Sequence, residues 1–169
     1  MFQDEARFGR MSRPRRCWAA PGMRPVMQNG YEREFRYVYG AVSPLEGELE
    51  YRICERMNTV EMGAFLTQVG ERYPDDFILM VLDGASSHKA KALEVPGNIA
   101  LIPLPPYSPQ LNPQENIWDE LREKNFPNRV FSSMEAVLEQ LQAGLETLGS
   151  NRQGLTSLTA WPWIRSVLS

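Results

Sequence analysis

Three acidic residues stand where a carboxylate can do chemistry as well as solvate a surface. Asp83 directly follows the apolar run FILMVL, residues 77–82, and in open sheets ligands gather beyond the carboxyl ends of the strands. Gly84 permits a tight turn there, and an aspartate in that place also serves as a plain turn cap. Glu115 stands in LNPQENIWDELREK. With Asn112 as N-cap and Pro113 as first helical residue, Glu115 is third in a helix, where it completes a capping box as readily as it faces a site. Asp4 lies in FQDEARFG, inside a short strand, and a charge there is costly unless exposed or paired. Alternation sends Glu5 to the opposite face, so only one of the two can join a site. The strand alone does not say which.

Three acids drawn together repel one another and raise each other's pKa. A divalent cation removes that conflict. Oxygen-only donors suit Mg²⁺ or Mn²⁺, and two such ions stabilise both the attacking and the leaving oxygen on phosphorus. The sequence holds no glycine-rich phosphate loop and no cysteine–histidine cluster to support a competing chemistry. Cys17 and Cys54 have no metal-type spacing and read as reduced thiols. The net charge of −3 argues against nucleic acid on average, yet residues 7–16 hold five arginines and no acid. That block (Arg7, Arg10, Arg13, Arg15 and Arg16) can attract phosphates while the remainder stays acidic. Lys89 and Lys91 are further candidates for holding phosphates. A solvated basic loop is the bland alternative.

The elements needed to position these residues are visible as periodicity. Residues 1–8 make a short first strand, and 17–20 suggest another within a Gly-, Pro- and Arg-rich stretch. Residues 35–42 and 48–53 alternate around the turn SPLEG, as an antiparallel hairpin does. Residues 59–73 switch to helical spacing, with Asn58 and Glu61 as a capping box. The continuous run 77–82 suits a strand buried on both faces. A short helix follows from Ser86 or Ser87, then a strand over 99–104 and a proline-rich loop. Helices over 113–124 and 133–148 close the pattern, the second capped by Ser132 and Glu135. On the first of these, Ile117, Trp118 and Leu121 form the apolar side, with Glu115, Asp119 and Arg122 on another. Asp119 reads as surface charge near Arg122. Antiparallel strands followed by strand–helix alternation imply an α/β mixed sheet with helices packed on its faces. At 169 residues, 43% hydrophobic and 23% charged, the chain suits one globular domain. No apolar stretch is long enough to span a membrane, and no secretory signal is visible.

FQDEARFG, CWAAPGMRP, VLDGASSH and LPPYSPQLNPQENIWDELRE together resemble the DDE transposases of the Tc/mariner superfamily, in its bacterial insertion-sequence branch. The similarity runs in order through residues 1 to about 125, and YSPQLNPQENIW is its most specific string. The resemblance implies a ribonuclease H-like fold and makes Asp4, Asp83 and Glu115 the catalytic, metal-binding triad, which selects Asp4 over Glu5. It implies Mg²⁺ or Mn²⁺, two ions, and DNA as partner, both transposon ends and target. The 31 residues between Asp83 and Glu115 are slightly fewer than that superfamily's commonest spacing, a difference that a shortened loop near 96–98 absorbs. His88 matches a histidine frequent in this branch and is a candidate for contacting phosphate, though a lone histidine more often packs or caps. Trp161, Trp163, Tyr37 and Tyr39 could stack bases but suit the core better.

Members of that superfamily carry helix-turn-helix modules before the catalytic domain, and here only three residues precede Asp4. The expectation is a single DDE-type catalytic domain over 1–169, as a separately encoded catalytic part with a helix-turn-helix subunit for partner, a truncated relic, or a piece cut from a longer chain. Homodimerisation and a cytoplasmic, nucleoid-associated location go with it. Two rival readings remain: a related nuclease that cuts without joining, and an inactive remnant that only binds or dimerises.

Overall fold

The computed structural model describes residues 1–11, 16–26, 33–83 and 93–168. The expected helix start at Ser86 or Ser87 lies outside the described residues. Among those described, five strands form one mixed sheet in the order β3-β2-β1-β4-β5. The strands are β1 (Phe2–Gly9), β2 (Phe35–Ser43), β3 (Glu48–Cys54), β4 (Ile78–Leu82) and β5 (Ile99–Pro103). Helix α1 (Thr59–Arg72) joins β3 to β4, and α2 (Gln114–Lys124), α3 (Met134–Ser150), α4 (Arg152–Thr159) and α5 (Pro162–Leu168) follow β5.

β1 and β2 pair antiparallel, as do β2 and β3, whereas β4 runs parallel to both β1 and β5. The β2–β3 turn closes with a bond from the Gly47 N–H to the Ser43 carbonyl at 2.9 Å. Gly47 has φ +62°, a conformation open to glycine at little cost. One face of the sheet packs Tyr39, Met80 and Ile99 against Met62, Phe65, Leu66 and Val69 of α1. The other packs Phe2, Ala6, Phe8 and Val38 against Ile117, Trp118 and Leu121 of α2, with Leu141 and Leu145 of α3 behind them. Helices on both faces of a mixed sheet, in this strand order, make the fold ribonuclease H-like, as the family resemblance implies.

Several local expectations need correction. Residues 17–20 are exposed and in no strand, and among the described residues no strand pairs with them. β4 is not buried on both faces: Ile78, Met80 and Leu82 are buried, but Leu79 is 49% exposed and Phe77, outside the strand, 67%. The helices of that second face pack over β1, β2 and β3. The α3 cap is Ser133, whose hydroxyl accepts from the Ala136 N–H at 3.3 Å. Ser132 is occupied otherwise, its carbonyl taking an Arg10 guanidinium N–H at 2.6 Å.

Candidate metal centre

Register and one helix start bring the acids together. Phe2 pairs with Val81 across the parallel β1–β4 ladder, and two residues on in sequence from these partners come Asp4 and Asp83. Side chains at level positions in a parallel pair share a face, and Phe2 and Val81 both pack on the α2 side. Glu5 faces the other way, paired with Tyr39, whose hydroxyl its charge helps push up, after burial. The strand left Asp4 and Glu5 undecided; the packing of the sheet assigns Asp4 to the α2 face.

Glu115 reaches the same place from the start of α2. Asn112 anchors this start: its side-chain N–H donates to the Gln3 carbonyl at 2.8 Å, and its Oδ1 accepts from the Gln114 N–H at 3.1 Å. Asn112 therefore caps as its sequence position implies. Its own backbone N–H goes to the Pro109 carbonyl at 2.9 Å, so Glu115 is not spent closing a capping box. Asp4, Asp83 and Glu115 all line one cavity of about 670 Å³, roofed by the proline-rich segment 103–109.

The electrostatics fit three acids crowded at one place. Burial first, then the charge of Glu115, push the Asp4 carboxyl up to about 7. A backbone bond from Glu5 and the indole N–H of Trp118, which donates to Asp4 Oδ2 at 3.0 Å, pull the other way. Burial likewise raises Glu115, with Asp119 and Asp83 adding to the effect and Arg122 opposing it. Among the described residues no three histidine, cysteine or acidic side chains are grouped tightly enough to form a ready-made metal shell. The donor set nonetheless suits a hard divalent cation, because oxygen ligands that penalise one another's charge are relieved by a cation between them.

A family model of the DDE superfamily endonucleases matches residues 1–138. The chain belongs to that family. An uncharacterised protein of Sinorhizobium fredii is 31% identical over 128 residues, which is 75% of this chain and 95% of that one. Among solved structures, this DDE endonuclease chain resembles the Mos1 mariner paired-end complex with Mn at a TM-score of 0.64 and 17% identity, over 98% of this chain and 54% of that one. It resembles the same complex with Mg at 0.62 and 16%, over 92% and 54%. The Mos1 strand transfer complex matches at 0.61 and 16%, over 95% and 54%. The DDE endonuclease chain thus spans about half the length of the transposase structures whose fold it shares.

The basic residues of this family member divide. Arg10 is built into the fold: its guanidinium donates to the carbonyls of Phe131 and Ser132 and pairs with Glu34 at 3.3 Å. It ties β1 to the segment before α3, a structural use that its residue type alone could not reveal. Arg7 is exposed, with its guanidinium over the Phe35 ring at 5.0 Å, and alternation puts it on the face opposite Asp4. Arg16 lies in the exposed segment 16–26. Arg13, Arg15, His88, Lys89 and Lys91 lie outside the described residues. Asp119 is exposed and within 3.9 Å of Arg122, a surface pair. Tyr39 is buried, its hydroxyl donating to the Asn58 carbonyl at 3.0 Å, and Trp163 lies edge-on to Phe2. Two residues at the site gave no sign in the sequence. The Trp118 N–H reaches an acid 114 residues away. Tyr107 lines the cavity, fully exposed and at φ +57°, a conformation uncommon for a bulky side chain.

No helix of the described residues is long and apolar enough to cross a membrane.

Proposed function

We propose that this chain is the catalytic domain of a DDE transposase, which cuts DNA at transposon ends and joins the freed end to target DNA. The observation that carries this reading is that Asp4, Asp83 and Glu115, from β1, the end of β4 and the start of α2, line a single cavity. Family membership supports metal-dependent endonuclease chemistry, and the paired-end and strand transfer complexes of Mos1 support transposition as its use.

In this reading the three carboxylates hold Mg²⁺ or Mn²⁺, two ions. When bound, these supply charge neutralisation on the phosphodiester and lower the pKa of the attacking hydroxyl. The chain does the rest. Asp4 ligates only when deprotonated, so binding draws off the proton that burial and Glu115 favour on it. The Asn112 cap fixes the start of α2 and with it Glu115. Water first attacks the scissile phosphorus in line, the bond to the 3′ oxygen breaks, and a 3′-hydroxyl and a 5′-phosphate result. That hydroxyl then attacks a target phosphodiester, losing its proton and releasing a new 3′-hydroxyl, with no covalent protein intermediate.

The DNA backbone contacts in this proposal come from Arg16, from Arg13, Arg15, Lys89 and Lys91, and from His88 near the scissile phosphate. Arg10 is better assigned to holding the fold, and Arg7 to the rim of the opposite face. Recognition of transposon ends by helix-turn-helix modules, a homodimer on DNA and a nucleoid-associated location complete the reading of 1–169 as one catalytic unit.

Incubating the protein with DNA carrying the element's inverted repeats and Mn²⁺ tests this. Expected are cleavage and strand-transfer products, both lost in Asp83→Asn. Nicks without joined products would reduce the reading to a nuclease; no metal-dependent cleavage at all would overturn it.

A further inference from the structure

We propose that Trp118 is the positioning residue of Asp4. Its indole N–H occupies Oδ2, so that Asp4 turns its remaining carboxylate oxygen to the cavity. The inference rests on the reading of Asp4 as a metal ligand. Trp118 is wholly buried, and its ring is fixed by α2 below and by the sheet above. The bond to Asp4 Oδ2 is 3.0 Å long, a good length for an indole donor to a charged acceptor. Indole is a donor only, so its bond distinguishes Oδ2 from the other oxygen of Asp4.

The approach depends on Gly40, the residue paired with Asp4 across the β1–β2 ladder. A Cβ at that position would stand 2.5 Å from Trp118 Cη2 and 2.8 Å from Cζ2. The ring therefore lies across bare backbone beside the acid. Trp118 is also one helical turn after Glu115, so a single rigid element delivers one acid of the triad and the donor that orients another. Displacing α2 disturbs both at once. A tryptophan needed only for packing would not require its one polar atom to end on a cavity acid.

Two measurements decide. In the wild-type protein the Trp118 indole ¹⁵N–¹H resonance is expected downfield and slow to exchange, moving upfield with faster exchange in Asp4→Ala. An indole resonance unchanged by Asp4→Ala overturns the assignment, and no Trp118 variant needs to fold for this test. Mn²⁺ titration followed by calorimetry supplies the second: Trp118→Phe, which deletes the donor while retaining an aromatic ring in the same position, is expected to bind about 10–100-fold more weakly than wild type. If Asp4→Ala loses Mn²⁺ binding while Trp118→Phe keeps wild-type affinity, the positioning role fails and the metal reading survives. If Asp4→Ala binds Mn²⁺ as the wild type does, the metal reading fails and takes this inference with it.

Discussion

Gly40 lies directly opposite Asp4 in the β1–β2 ladder, and the space its missing side chain leaves is filled by Trp118 and Gln114 of α2. A methyl group there would meet Trp118 Cη2 at 2.5 Å and Gln114 Nε2 at 2.6 Å, and α2 carries Glu115. Gly40→Ala is expected to cost about 1–3 kcal/mol, the usual range for overpacking, and to weaken Mn²⁺ binding alongside. Urea unfolding and calorimetry measure the two. A variant as stable and as metal-competent as wild type would show that α2 does not need this close approach.

The raised Asp4 carboxyl gives the metal-free protein a signed pH dependence. Its pKa goes from 3.8 to about 7 on folding, so within that window the folded state holds more protons than the unfolded one. Stability from this group is then full below about pH 4 and is lost as pH rises towards about 7. Asp4→Asn, which never acquires the charge, should melt higher than wild type at about pH 8 and level with it at about pH 3.5. Saturating Mn²⁺ should erase the wild-type deficit. A wild type whose stability rose relative to that of Asp4→Asn as the pH was raised from about 3.5 to about 8 would contradict the shift.

Arg10 and Arg16 should separate structure from DNA contact. Arg10→Ala removes the donors to Phe131 and Ser132 and is expected to cost about 1.5–3 kcal/mol, as for hydrogen bonds to charged groups. The salt dependence of DNA binding should not change. Reversing Arg13, Arg15 and Arg16 together should leave the melting temperature in place while weakening DNA binding and flattening its salt dependence. Equal effects of both substitutions on that slope would put Arg10 back on the DNA.

Tyr107 invites a trade between stability and activity. Its φ of +57° is costly for a tyrosine and free for glycine, and its fully exposed ring lines the acid cavity. Tyr107→Gly should hold stability level or raise it by up to about 1 kcal/mol, while DNA cleavage falls. Cleavage at the wild-type rate would make the exposed ring incidental.

Much of the sheet was legible because its periodicity is strong: the β2–β3 hairpin, α1 with its Asn58 cap, β4, β5, α2 and α3 all follow from spacing. Where sequence fell short, the deciding quantity was a partner elsewhere in the chain. Residues 17–20 look like a strand but pair with none among the described residues, and the run before Asp83 looks buried on both faces until Leu79 is found exposed. Helices α4 and α5 are too short to show a period, although Asn151 and Pro162 sit at their starts. Of the site, Asp83 and Glu115 could be picked out by type and position, whereas Asp4 was chosen over Glu5 by the family resemblance alone. The meeting of the three acids depends on the parallel register of β1 with β4, which no local pattern encodes. Five arginines in one block look alike in sequence, and it takes the fold to show that Arg10 donates to backbone carbonyls.

The central claim is that Asp4, Asp83 and Glu115 grip divalent metal within one cavity. Crystals soaked in Mn²⁺ and measured at the manganese edge test it most directly. Anomalous density is expected in the cavity between these acids, with carboxylate oxygens about 2.1 Å from it, and should vanish in Asp83→Asn crystals. An empty cavity at saturating Mn²⁺, or density held by other residues alone, would contradict it.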